Sequence, residues 1–142
     1  MTMFSKEEVE VIRGTWMAVA TNRDKAGEIF YNKLFQHAPE VKCMFADSPK
    51  VQGRKLMETL ATVVDGLDRI DSLVPFVKQL GQLHTDTGVK PQHYDIVGAT
   101  LIETLREMAG GRFDAKAEAA WKKAYDALAG IMKTAGPGSK AA

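Results

Sequence analysis

The chain has 142 residues, the size of one domain, and a domain of that length buries about 68–70% of its unfolded surface. Its 45% hydrophobic and 26% charged residues are ordinary for a globular protein, and 19 basic against 18 acidic side chains argue against an electrostatic partner such as a nucleic-acid backbone or an anionic membrane. One cysteine, Cys43, excludes an internal disulfide and suits a reducing compartment. The opening "MTMFSKEEVEVIRG" carries acids where a secretory signal needs an apolar run, and no uncharged stretch is long enough to span a bilayer, so a cytoplasmic protein is expected.

Nearly every segment reads as helix. Ser5 with Glu8 makes a capping-box pattern ahead of "VEVIRGTWMAV". A second helix starts near Asn22–Asp24, carries Ile29, Phe30, Leu34 and Phe35, and is interrupted by Pro39. "PEVKCMFADSP" is short and turn-like, and Asp47 or Ser48 before Pro49 opens a helix running to about Asp68. Asp71–Ser72 opens the next, which ends at His84 and Gly88, with the glycine suited to a C-terminal cap. Beyond Pro91, a helix over about 92–109 turns Val97, Leu101, Leu105 and Met108 inward until Gly110–Gly111 stops it. The last, about 115–135, sets Trp121, Ala124, Tyr125, Leu128 and Met132 on one face. "GPGSKAA", residues 136–142, reads as a disordered tail. No alternating run supports a strand, so the class is all-α, with one domain over 1–135.

Seven glycines, Gly14, Gly27, Gly53, Gly66, Gly81, Gly98 and Gly130, fall inside predicted helices, where each costs about 1 kcal/mol against alanine. Some are neutral surface positions. Gly27 and Gly53 differ, because Tyr31 lies one turn from the first and Gln52 adjoins the second. A close crossing there brings the two helices together near both polar side chains. The stripe Leu73, Val77, Leu80, His84, spaced by four, three and four, ends in an imidazole. On spacing alone the usual explanation is a satisfied core histidine, or the point where the stripe reaches the surface.

The segments "GEIFYNKLF" (27–35), "PEVKCMFADSPKVQGRKLM" (39–57), "QLHTDTGVKPQHYDIVG" (82–98) and "AWKKAYDAL" (120–128) resemble, in order and separation, those of globins. More narrowly, the chain resembles the single-domain bacterial haemoglobins and the haem domains of flavohaemoglobins, over about residues 4–135. The resemblance implies a globin fold around haem b (iron protoporphyrin IX). It implies His84 as the proximal iron ligand, Phe45 as the ring wedged against the porphyrin, Tyr31 and Gln52 as the distal polar pair, and Leu56 above the iron. Val89, Tyr94, Val97 and Tyr125 match positions on the proximal side or pocket wall.

The residue types suit that chemistry. Haem needs a neutral imidazole on one axial site and a largely apolar slot. Bound oxygen takes on partial negative charge, which a phenol and an amide stabilise by donating hydrogen bonds without ligating iron strongly. No histidine matches the distal position; His37 and His93 read as surface residues. In any helical protein Phe45, Leu56, Val89 and Val97 are plain core, Tyr31 and Tyr125 core tyrosines, and Gln52 a solvated side chain. Arg54, Lys55 and Lys90 suit propionates or simply a solvated face.

One position departs from the pattern. Many relatives carry a glutamate late in the final helix that joins the proximal tyrosine and polarises the histidine, and Gly136 stands there instead. A more basic imidazole favours O–O cleavage, so the departure weakens any expectation of peroxidase-like chemistry.

Three functions follow. The first is reversible binding of O2, with CO and NO as further ligands. The second is nitric oxide dioxygenase activity, which needs an external reductase because the 142 residues leave no room for a flavin domain and show no Gly-rich dinucleotide fingerprint. The third is a helical interaction or sensor module without haem, which leaves Tyr31, Gln52 and His84 at matching positions by coincidence.

Overall fold

A computed structural model describes residues 4–45 and 47–135. Among them are six α-helices and no strand: α1 (Lys6–Ala20), α2 (Arg23–His37), α3 (Pro49–Asp65), α4 (Ile70–Thr87), α5 (Pro91–Ala109) and α6 (Ala115–Ala135). The expected all-α class holds. Residues 136–142, expected as a tail, lie outside the described residues, as does Gly136.

Local chemistry explains most of the boundaries. Ser5 caps α1 with the reciprocal box: the Glu8 amide donates to the Ser5 hydroxyl at 3.1 Å, and the Ser5 amide to the Glu8 carboxylate at 2.8 Å. Ser48, with Pro49 at the first helical position, caps α3 by accepting from the Val51 amide. Gly88 closes α4 in the left-handed region at φ 104°, which favours glycine. "PEVKCM" is a 3-10 turn over Pro39–Met44.

The boundary between α3 and α4 differs from expectation. α3 stops at Asp65 rather than near Asp68, because Gly66 ends it and Leu67–Arg69 form a 3-10 turn. α4 then begins at Ile70, so Ser72 is no cap; its hydroxyl donates to the Arg69 carbonyl at 2.7 Å. Arg13 of α1 reaches the end of α3, donating to the carbonyls of Val64 at 3.3 Å and Asp65 at 2.8 Å. A long-range contact thereby satisfies helix-end acceptors that local sequence left open.

The core gathers Ile12, Trp16, Val19, Phe30, Leu34, Met57, Val64, Val77, Leu101, Leu105, Trp121 and Leu128, all buried. α2 packs on α3, α4 on α6, and α1 on α5 and α6. The α2/α3 crossing is made at the glycines: a Cβ on Gly27 would lie 2.6 Å from the Gly53 Cα. α4 and α6 meet in the same way, with a Cβ on Gly81 2.6 Å from the Met132 Cα. Successive helices α3 and α4, by contrast, make few direct contacts among the described residues.

Candidate functional site

On the α4 side, His84 is half-buried in the last turn of the helix. Its Nδ1 lies 2.6 Å from the Leu80 carbonyl oxygen. A carbonyl only accepts, so Nδ1 carries a proton and donates it, which leaves Nε2 as the nitrogen without a partner among the described residues. Beyond His84 the chain turns sharply: the Val89 amide donates to the His84 carbonyl at 2.9 Å and the Gly88 amide to the Thr85 carbonyl at 3.1 Å. That reversal starts α5 beside the end of α4. Tyr94 therefore stacks on His84, ring centroids 6.1 Å apart and planes 29° apart.

Tyr94 is held from behind. The Tyr125 hydroxyl donates to the Tyr94 carbonyl at 2.6 Å. Gly98 makes this possible, since a Cβ there would come within 2.7 Å of the Tyr125 ring. Burial pushes the Tyr125 phenol well above its usual range, and Tyr94, Asp95 and Asp126 add to the shift electrostatically. Tyr94 is raised too, by burial. Val89 and Val97 are half-buried, Val97 packing against the core.

On the α2 and α3 side, Tyr31 is buried within an aromatic cluster. Its ring meets Phe30 at 4.9 Å and Phe45 at 5.2 Å, both edge-on, and Phe35 at 5.8 Å. Such pairs add about 0.5–1.5 kcal/mol each beyond area burial, which fixes the ring. The Tyr31 hydroxyl makes no hydrogen bond within the described residues. Burial pushes its pKa up to about 12, so it stays protonated and able to donate across the physiological range.

Gln52 and Leu56 follow on α3, both half-buried. The Gln52 amide turns to Asp47 rather than to Tyr31: its Nε2 lies 3.5 Å from the Asp47 carboxylate, at the limit of a hydrogen bond. Asp47 also accepts from Lys55 at 2.7 Å. The Gly27–Gly53 crossing thus draws the helices together as the sequence implied, while the two polar side chains face different partners. Arg54 pairs with Asp24 at 3.5 Å, and Lys90 is exposed. His37 is exposed and bonded to Glu103 at 2.8 Å; His93 is half-buried, its Nδ1 accepting from the Lys90 amide at 2.9 Å.

Four participants are not evident from the sequence. Phe35 follows Tyr31 by four residues, a spacing that signals a shared helix face. The Leu80 carbonyl is the backbone acceptor one turn before His84. Lys133 follows Tyr125 by eight residues, two turns along α6, and its Nζ lies 5.6 Å from the Tyr94 ring centroid. Asp47 reads in the sequence only as a helix-start signal, and nothing local marks it as a partner for Gln52.

Comparison with known proteins bears on the fold and the family. A bacterial globin from Campylobacter jejuni superposes with a TM-score of 0.79 at 25% identity, over 92% of this chain and 95% of that one. The flavohemoprotein of Vibrio cholerae is 33% identical over 133 residues, covering 92% of this chain and 34% of the relative. That of Bacillus subtilis is 30% identical over 138 residues, covering 92% and 35%. The chain therefore spans about a third of the length of these curated relatives. The globin family model matches residues 28–132. With the fold, the order of its motifs and that match in agreement, the chain belongs to the globin family.

Proposed function

We propose that residues 1–135 form a haem-binding domain that binds O2 reversibly, with CO and NO as further ligands, at an iron held by His84. The observation that carries this reading is the His84 hydrogen bond. With Nδ1 held to the Leu80 carbonyl at 2.6 Å, the ring is oriented and Nε2 is the nitrogen turned to any metal that binds here. The donor set fits haem on both sides. An imidazole fixed by a carbonyl would hold the iron, and the buried phenol of Tyr31, which makes no hydrogen bond to the described residues, would serve a bound gas. Half-buried apolar residues, Phe45, Leu56, Val89 and Val97, stand ready to lose their remaining exposure to a flat apolar group.

Haem b, held by His84, would supply the iron at which a diatomic gas binds. The chain's residues do the rest. Tyr31 donates a hydrogen bond towards oxygen that gains negative charge, and Phe45 with Phe35 holds its ring in place. Gln52 adds a second donor once its amide leaves Asp47, which Lys55 continues to hold. Leu56 keeps the ligand side apolar. Tyr94 and Tyr125 fix the far side of the imidazole. The exposed thiol of Cys43 and the nearly balanced charge suit a cytoplasmic protein.

A second reading, nitric oxide dioxygenase served by a separate reductase, draws support from relatives named flavohemoproteins, of which this chain spans about a third. One experiment tests the parent proposal: the absorption spectrum of the purified protein, ferrous and under carbon monoxide. A five-coordinate histidine-ligated ferrous spectrum is expected, converting to a six-coordinate complex with CO. A colourless protein that takes up no added haem overturns the proposal in favour of a helical interaction module.

A further inference from the structure

Lys133 is a charged group that the fold brings to the ring stacked on His84. α4 and α6 cross at Gly81 and Met132 so closely that a Cβ on Gly81 would sit 2.6 Å from both the Met132 Cα and its carbonyl oxygen. Gly81 is about one turn before His84, and Met132 is the neighbour of Lys133. One backbone contact therefore sets the position of both side chains. Lys133 also shares the face of α6 that carries Tyr125, two turns earlier. The outcome is a stack of three groups. The Lys133 Nζ lies 5.6 Å from the Tyr94 ring centroid, and Tyr94 in turn stacks on His84 at 6.1 Å and 29°. A cation within about 6 Å of an aromatic centroid is held by the ring quadrupole. The ring is buried while Lys133 is exposed, so the path between the ammonium and the imidazole runs through the ring, and solvent and salt screen the charge from its outer side. The described hydrogen-bond partner of the imidazole, the Leu80 carbonyl, carries no charge to oppose it.

We propose that Lys133 is a positioning residue of the His84 site: its ammonium, seated on Tyr94, holds a positive charge behind the imidazole and favours the reduced state of an iron held there. The proposal rests on the haem reading above. An anion behind a ligating imidazole raises its basicity and stabilises the more oxidised metal; a cation acts in the opposite sense. The ammonium is no farther from the imidazole than the two ring separations laid end to end. At that range a unit charge changes a one-electron equilibrium by about two- to tenfold, depending on the local dielectric.

Three variants test this. Lys133→Met keeps the stem and removes the charge, Lys133→Glu reverses it, and Lys133→Arg retains it. In a redox titration of the haem protein with dithionite and ferricyanide, one electron per iron, Lys133→Met should lower the reduction equilibrium constant about two- to tenfold. Tenfold corresponds to about 59 mV for one electron. Lys133→Glu should lower it further and raise the iron–histidine stretching frequency, Lys133→Arg should stay with the parent, and added salt should narrow the differences. Equal shifts in the Met and Glu variants, or none in either, overturn the proposal. A second measurement reads the seat itself: in NMR spectra of the CO-treated protein, the Lys133 side-chain methylene protons should be displaced by the Tyr94 ring current and return to ordinary positions in Tyr94→Leu. Undisplaced Lys133 protons in a protein that has taken up haem overturn this proposal alone. A protein that takes up no haem overturns both this proposal and the reading beneath it.

Discussion

Gly27 and Gly53 face each other across the α2/α3 crossing with no room for a side chain between them: a methyl on Gly27 would lie 2.6 Å from the Gly53 Cα and 2.9 Å from its carbonyl carbon. The neighbours are backbone, which cannot rotate away. Gly27→Ala should therefore destabilise by about 1–3 kcal/mol through overpacking, despite alanine's better helix propensity. A methyl on Gly14 would meet nothing within 4 Å, so Gly14→Ala should gain up to about 1 kcal/mol. Thermal melts of the two variants should move in opposite directions; parallel shifts would mean the crossing is looser than the backbone distances imply.

His84→Ala should remove most haem binding, or leave a cavity that added imidazole refills. The half-buried ring, with Nδ1 committed to Leu80, offers one free nitrogen and no substitute nearby on its own face of α4. Absorption spectra with and without imidazole decide it. Five-coordinate histidine spectra in the variant without imidazole would show that another residue ligates.

Tyr31→Phe should speed oxygen dissociation about ten- to a hundredfold. A hydrogen bond to a charged group contributes about 1.5–3 kcal/mol, and the Tyr31 hydroxyl makes none to the described residues that would have to be broken first. Stopped-flow dissociation of O2 and CO separates electrostatics from sterics, because CO gains little charge and should respond less. Equal changes for both gases would assign Tyr31 a steric role.

The same residue predicts an alkaline limit to stability. Burial raises Tyr31 from about 10 to about 12, so the folded state holds its proton more tightly than the unfolded chain does. Its contribution is fully present below about pH 10, falls as pH rises, and is lost through about pH 12, where the total amounts to about 2–3 kcal/mol. Unfolding curves of the parent and Tyr31→Phe should differ in slope within that window. Parallel curves would show that the hydroxyl is better solvated than its burial indicates.

The 142-residue chain, loaded with haem and O2, should consume nitric oxide about once per haem in NADH alone and repeatedly when a reductase is added. Single and multiple turnover are distinguished by counting nitrate against haem. Sustained consumption without the reductase would replace the carrier reading by a self-sufficient enzyme, and no consumption at all would close the dioxygenase reading.

Helix existence and identity are legible in the sequence because their causes lie within a few residues. Ser5 with Glu8, Ser48 before Pro49, and Gly88 each act on backbone groups one turn away, and the Leu73–Val77–Leu80–His84 stripe is a matter of 3.6-residue periodicity. The globin family is legible too, from the order and separation of four motifs. What local sequence does not determine is set by contacts between distant segments. The group that satisfies the carbonyls at the end of α3 is Arg13, the partner of Gln52 is Asp47, and the group near Tyr94 and His84 depends on the backbone crossing of Gly81 with Met132. Helical periodicity says which way a side chain leaves its own helix; only the distance and angle at which two helices cross decide what it meets. That is why the stripe can put His84 on the inward face of its own helix, while Lys133 on Tyr94 becomes visible only in the folded chain.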